Sequence, residues 1–99
     1  MILWIRTDKP DAQVRLTNNG LIVSEEQWHA HRKLSDTILV KINTVLQAAA
    51  IELEDIVAIC VYSGPGSFTG LRIGVTVANT LGYMLGVPVW GVDDRIWQS

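Results

Sequence analysis

The sequence predicts an α/β fold: a mixed five-stranded sheet, three antiparallel strands followed by two parallel ones, with two main helices. Three observations predict it. Asn18, Asn19 and Gly20 form a turn signal between two β-patterned runs, and apolar residues recur at helical spacing from Ile38 to Ala49. A near-continuous apolar run over 56–62 then leads through a glycine-rich loop into a second apolar helix.

The elements follow in order. Residues 1–6 are a short apolar run, and 13–17 alternate with Val14 and Leu16 on one face, so each reads as a strand. Leu21 to Ser24 resumes the β pattern after the turn and closes a hairpin. Ser35 is the expected N-cap of a first helix in which Ile38, Leu39, Ile42, Val45, Leu46 and Ala49 recur, stopping near Ala50. Residues 56–62 read as a central strand covered on both faces, 69–85 as a second helix ended by Gly86 and Pro88, and 89–92 as the last strand. Asp93 to Ser99 reads as an exit segment that begins a helix. With right-handed crossovers, β-β-β-α-β-α-β is the ribonuclease-H-like arrangement found in each half of actin-like ATPases.

Ninety-nine residues make one small domain. Eight Lys and Arg against ten Asp and Glu provide no general footprint for nucleic-acid phosphates. The single cysteine, Cys60, excludes an internal disulfide and reads as a small core residue in the run IVAICV. The start MILWIRTD lacks a basic leader, so a cytoplasmic protein is expected. The stretch LRIGVTVANTLGYMLGVPVWGV is poor in charge, but Arg72, Asn79, Pro88 and its glycines argue against a membrane span.

The loop in YSGPGSFTGLRIG invites three chemistries. Anion binding at a helix N-terminus is available to it, yet it has no lysine and is not a Walker loop. Gly64, Gly66 and Gly70 are one residue too long for the usual dinucleotide fingerprint, and Asp93, at the end of the next strand, stands where a ribose-binding acid could. A nucleotide- or dinucleotide-binding protein using Gly64, Gly66 and Asp93 is therefore the alternative reading. Ser67 is not set in a nucleophile elbow, and His29 and His31 read as exposed loop residues rather than a base or metal ligands. No metal site is expected. In the structural reading the glycines turn the chain, Ser67 or Thr69 caps the helix, and Phe68 plugs the core.

The helix after the loop carries small residues four apart: Gly70, Gly74, Ala78, Gly82 and Gly86. Leu71, Val75 and Leu85 flank this ridge on one side, and Ile73, Val77 and Met84 on another. A helix apolar on more than one face is buried on more than one face, so a protein interface along the ridge is expected.

GPGSFTGLRIG, followed by the small-residue helix and GVPVWGV, resembles the TsaB (YeaZ) family of the glycoprotease-like (M22) group. The likeness runs from the MIL-x-I start through Val92. It implies a non-catalytic dimerisation and assembly subunit in the synthesis of threonylcarbamoyladenosine (t6A) on tRNAs that read ANN codons. A TsaD-like threonylcarbamoyltransferase would be the partner, with a TsaE-like ATPase in the complex, ATP and metal on those subunits, and tRNA reached only through the complex. A homodimer is a further expectation, with Gly70, Ile73, Gly74, Val77, Ala78 and Leu81 as contact residues. Gly64, Gly66, Ser67 and Thr69 would be a vestigial phosphate loop.

The departures are specific. Where family members usually read ILAIDTS, this chain reads ILWIRTD, placing Arg6 at the aspartate and undermining a residual nucleotide site. Leu34, Ser35 and Asp36 stand for the family's His-Ser-Glu, and Ser63 for an arginine. The expected organisation is one actin-like N-terminal lobe over 1–99, without the family's second lobe.

Overall fold

A computed structural model describes residues 1–66 and 68–98, without the side chains of His31 and Phe68. Strands β1 (Ile2–Arg6), β2 (Asp11–Asn18) and β3 (Leu21–His29) precede helix α1 (Leu34–Ala48), and β4 (Ala58–Tyr62), α2 (Phe68–Leu85), β5 (Val89–Val92) and α3 (Asp94–Gln98) follow. They build one mixed sheet in the order β3-β2-β1-β4-β5. β1–β2 and β2–β3 are antiparallel; β1–β4 and β4–β5 are parallel. The expected element order and sheet are thus observed.

The hairpin forms because Asn19 and Gly20 both take positive φ, 53° and 80°, the two-residue turn whose twist matches the strands. Strand periodicity then divides the sheet. Leu3, Ile5, Val14, Leu16, Ile59 and Val61 point to one face, where they form the main core with Ile38, Ile42 and Val45 of α1 and Ala78 and Leu81 of α2. Trp4, Cys60, Tyr62 and Val92 point to the other, where Trp97 of α3 covers them. All five residues of β4 are buried, as a central strand covered on both sides requires. Cys60 is a core residue, and burial pushes its thiol up from the ordinary value.

Two local expectations are corrected. β3 runs on through Ser24, Glu26 and Trp28 to His29, because that edge strand half-buries one face while keeping polar groups in its pattern; His29 therefore ends a strand rather than sitting in a loop. Ser35 is not the N-cap of α1: a 3₁₀ turn at His31–Lys33 feeds the helix, Lys33 stands at the cap without a side-chain bond, and Ser35 lies inside. The side chain of His31 lies outside the described residues. No helix among the described residues is long and apolar enough to cross a membrane.

Candidate functional site

Two places on this fold could carry function: the carboxyl ends of β1 and β4, where the glycine loop sits, and the outer surface of the paired helices.

At the strand ends the chain fills its own cleft. Arg6, only 7% exposed, donates to both oxygens of Asp8, at 2.8 and 3.2 Å, and pairs with Asp94 at the start of α3, 2.8 Å away. Its guanidinium lies 4.0 Å from the centre of the Tyr62 ring, and the Tyr62 hydroxyl donates to the Pro65 carbonyl of the loop. The bond to Asp8 pushes the Arg6 pKa above its ordinary value, while burial, reinforced by Asp94 and Asp8, pushes the Tyr62 phenol up. Arg15 completes the assembly, stacking 4.5 Å over Trp97 and donating to its carbonyl at 3.1 Å. This cluster was not foreseen from the sequence. Its one signal was charge at both ends of R-T-D, where an apolar strand should end.

The loop residues serve the same closure. Gly64 has φ +127°, which a turn here needs, and it precedes a cis peptide bond to Pro65. Gly66 is required for contact instead: a Cβ there would lie 2.6 Å from Asp8 Cβ and 3.2 Å from its carboxylate. A phosphate approaching Gly66 therefore meets a carboxylate. Thr69 lies within α2, so it does not cap the helix; Ser67 and the Phe68 side chain, expected as cap and core plug, lie outside the described residues. Asp93 also has a structural task. It accepts from the Ile96 N–H at 3.2 Å, capping α3, and that bond together with Arg95 holds its carboxyl below the usual carboxylate range. The described residues contain no group of three or more His, Cys, Asp or Glu suited to a metal ion.

The middle of the small-residue ridge, Gly74, Ala78 and Gly82, faces inward, which corrects the expectation that a partner backbone runs along it. A Cβ on Gly74 would lie 2.3 Å from Thr7 Oγ1, and one on Gly82 equally close to Val89 Cγ2; Ala78 is 0% exposed. The close approach that these small residues allow is to the chain's own sheet, so Gly74 and Ala78 are unavailable to a partner. Thr7 reinforces the contact by donating to the Gly70 carbonyl at 2.6 Å. Gly70 is half-exposed and Leu81 buried.

What the helices present outward is the flank. Ile73 and Val77, both half-exposed, line a groove of about 290 Å³ with Ser35, Ile38 and Leu39 of α1 and Arg72 and Thr76 of α2. Leu39 is 57% exposed, and Met84, one heptad beyond Val77 and so on the same flank, is 69% exposed. Apolar surface therefore continues across both helices.

The fold and these two places define a class: a ribonuclease-H-like lobe of the actin-like type whose strand-end cleft is closed by its own arginine. A family profile described as TsaD, tRNA N6-adenosine threonylcarbamoyltransferase, matches residues 22–97. The chain belongs to that family, in its TsaB (YeaZ) branch. The tRNA threonylcarbamoyladenosine biosynthesis protein TsaB of Escherichia coli is 34% identical over 92 residues, 93% of this chain and 39% of the relative. The transferase of Geotalea uraniireducens is 42% identical over 64 residues, 65% of this chain and 19% of the relative. The solved structure of YeaZ from Pseudomonas aeruginosa superposes with a TM-score of 0.86 at 29% identity, covering 94% of this chain and 43% of that one. The chain thus spans less than half the length of the curated relatives it matches.

Proposed function

We propose that this chain serves t6A biosynthesis as a non-catalytic assembly subunit, an N-terminal-lobe equivalent that docks on a TsaD-type threonylcarbamoyltransferase or on a second copy of itself. The observation that carries the reading is the apolar flank formed by Leu39, Ile73, Val77 and Met84 across two helices whose inner faces are already buried against the sheet. Such a strip is what helix-to-helix docking uses. Transfer chemistry, ATP and metal belong to partner subunits, a TsaE-like ATPase among them, and tRNA is met only through the assembly, in the cytoplasm. The filled strand-end cleft supports the non-catalytic side of the reading, since Arg6 occupies the space beside Asp8 and Asp94.

The test is co-purification with a TsaD-type transferase, alongside sedimentation of the chain alone. Leu39→Asp and Met84→Asp change exposed positions and should abolish pairing while circular dichroism stays native. Undiminished pairing of both variants would overturn the docking surface. Calorimetry with ATP and NAD addresses the nucleotide alternative: no binding heat is expected, and tight binding by the isolated chain would favour that alternative.

A further inference from the structure

A second groove lies next to the proposed docking flank, where the C-terminal half of α1 meets the connection into β4. It measures about 540 Å³. Leu39, Ile42, Leu46, Leu53 and Leu81 supply its apolar lining. Its rim is acidic: Glu52 and Glu54 border it, both exposed, and no lysine, arginine or histidine is among its lining residues. The Glu52 carboxylate caps the 3₁₀ turn at Leu53–Asp55 by accepting from the backbone. Among the described residues neither Glu52 nor Glu54 is in a side-chain ion pair, the cation at this turn being the Met1 ammonium on the Asp55 carbonyl, 3.5 Å away. The end of α1 adds to this field, because its last turn has no basic residue to offset the negative end of the helix dipole.

An apolar floor beneath two carboxylates and a helix C-terminus is complementary to an amphipathic segment with a cation at one end. We infer that this groove seats a segment of a partner protein that inserts aliphatic side chains over Leu39, Ile42 and Leu46 and places a lysine or arginine beside Glu52 and Glu54. The inference rests on the proposed docking reading and deepens it: the apolar flank provides adhesion, and the acidic rim fixes which way along the groove the partner lies. Rim charges act chiefly on encounter and orientation, so the contribution is sensitive to salt.

The probes are two helical peptides of identical leucine spacing, one with lysine and one with glutamate at the polar positions, titrated into the isotope-labelled chain. The lysine peptide should shift the amide resonances of residues 39–54 and Leu81 and bind at least about tenfold more tightly than the glutamate peptide at low salt, the preference shrinking toward unity near about 0.5 M salt. Glu54→Lys combined with Glu52→Gln, which retains an acceptor for the cap, should remove that preference. Equal binding of the two peptides at this groove would overturn the charge selection while leaving apolar docking standing. A lysine-peptide footprint elsewhere, or one unaffected by the double substitution, would overturn the groove assignment. Loss of co-purification in Leu39→Asp is read separately, so failure of the docking reading is distinguishable from failure of the charge rule.

Discussion

The guanidinium of Arg6 sits between two carboxylates and over a phenol ring, so removing it strands Asp8, itself 8% exposed, without its cation. Breaking one side of a buried pair costs far more than the pair contributes, because the remaining charge stays desolvated. Arg6→Ala should therefore lower unfolding free energy by about 3 kcal/mol in chemical denaturation. Arg6→Lys should recover only part, since an ammonium cannot match the paired bonds to Asp8 or spread over Tyr62. An unchanged midpoint in Arg6→Ala would contradict the closed cleft. Gly74 tests packing at the same scale. A methyl there meets Thr7 at an impossible distance, so Gly74→Ala should cost about 1–3 kcal/mol even though alanine is the better helix former. A stabilised Gly74→Ala would mean that α2 does not pack against Thr7, just past the end of β1, as described.

At the scale of elements, α3 is five residues long and is held by side chains rather than by its own turns. Asp93 caps it, Asp94 pairs with Arg6, and Trp97 lies edge-on to Trp4 with centroids 5.8 Å apart. The Asp93 carboxyl is depressed in the folded state by the Ile96 N–H. Its stabilising contribution is accordingly present above the unfolded carboxylate value and is lost as pH falls through the folded one. The Trp97 indole resonance should therefore shift toward the exposed value in acid. Asp93→Asn keeps an acceptor for the cap and should flatten that limb. An identical acid limb in the variant would remove Asp93 from the account. Elements with a clear period were legible in the sequence: the hairpin from Asn19-Gly20, α1 from its apolar spacing, β4 from its unbroken apolar run. The end of β3 was not, because an edge strand alternates Ser24, Glu26 and Trp28, a pattern that polarity alone does not reveal. The direction of the small ridge was illegible for a different reason. Small residues at helical spacing announce close approach, but whether to the chain's own sheet or to another molecule depends on where the fold places Thr7, far from Gly74 in sequence, and Val89, across the turn that follows α2. The Arg6 cluster likewise joins residues 6, 8, 62 and 94, which only the sheet brings together.

At the scale of the whole molecule, the sheet is unequally covered. Two long helices bury one face, and the short α3 covers part of the other. The loop that most resembles a phosphate cradle is turned to structural use, with Gly66 against Asp8 and Tyr62 bonded to Pro65, while the apolar flank of α1 and α2 is left outward. Under the proposed function, a member of the TsaD family built this way would contribute a surface, and the transfer chemistry would lie with its partner. The most direct measurement is reconstituted threonylcarbamoyl transfer to an ANN-reading tRNA by a TsaD-type transferase and its ATPase, with this chain supplied as wild type, Leu39→Asp or Thr69→Ala. Transfer that requires the chain, falls to background with Leu39→Asp and survives Thr69→Ala is the predicted result; transfer lost with Thr69→Ala but retained with Leu39→Asp would contradict it.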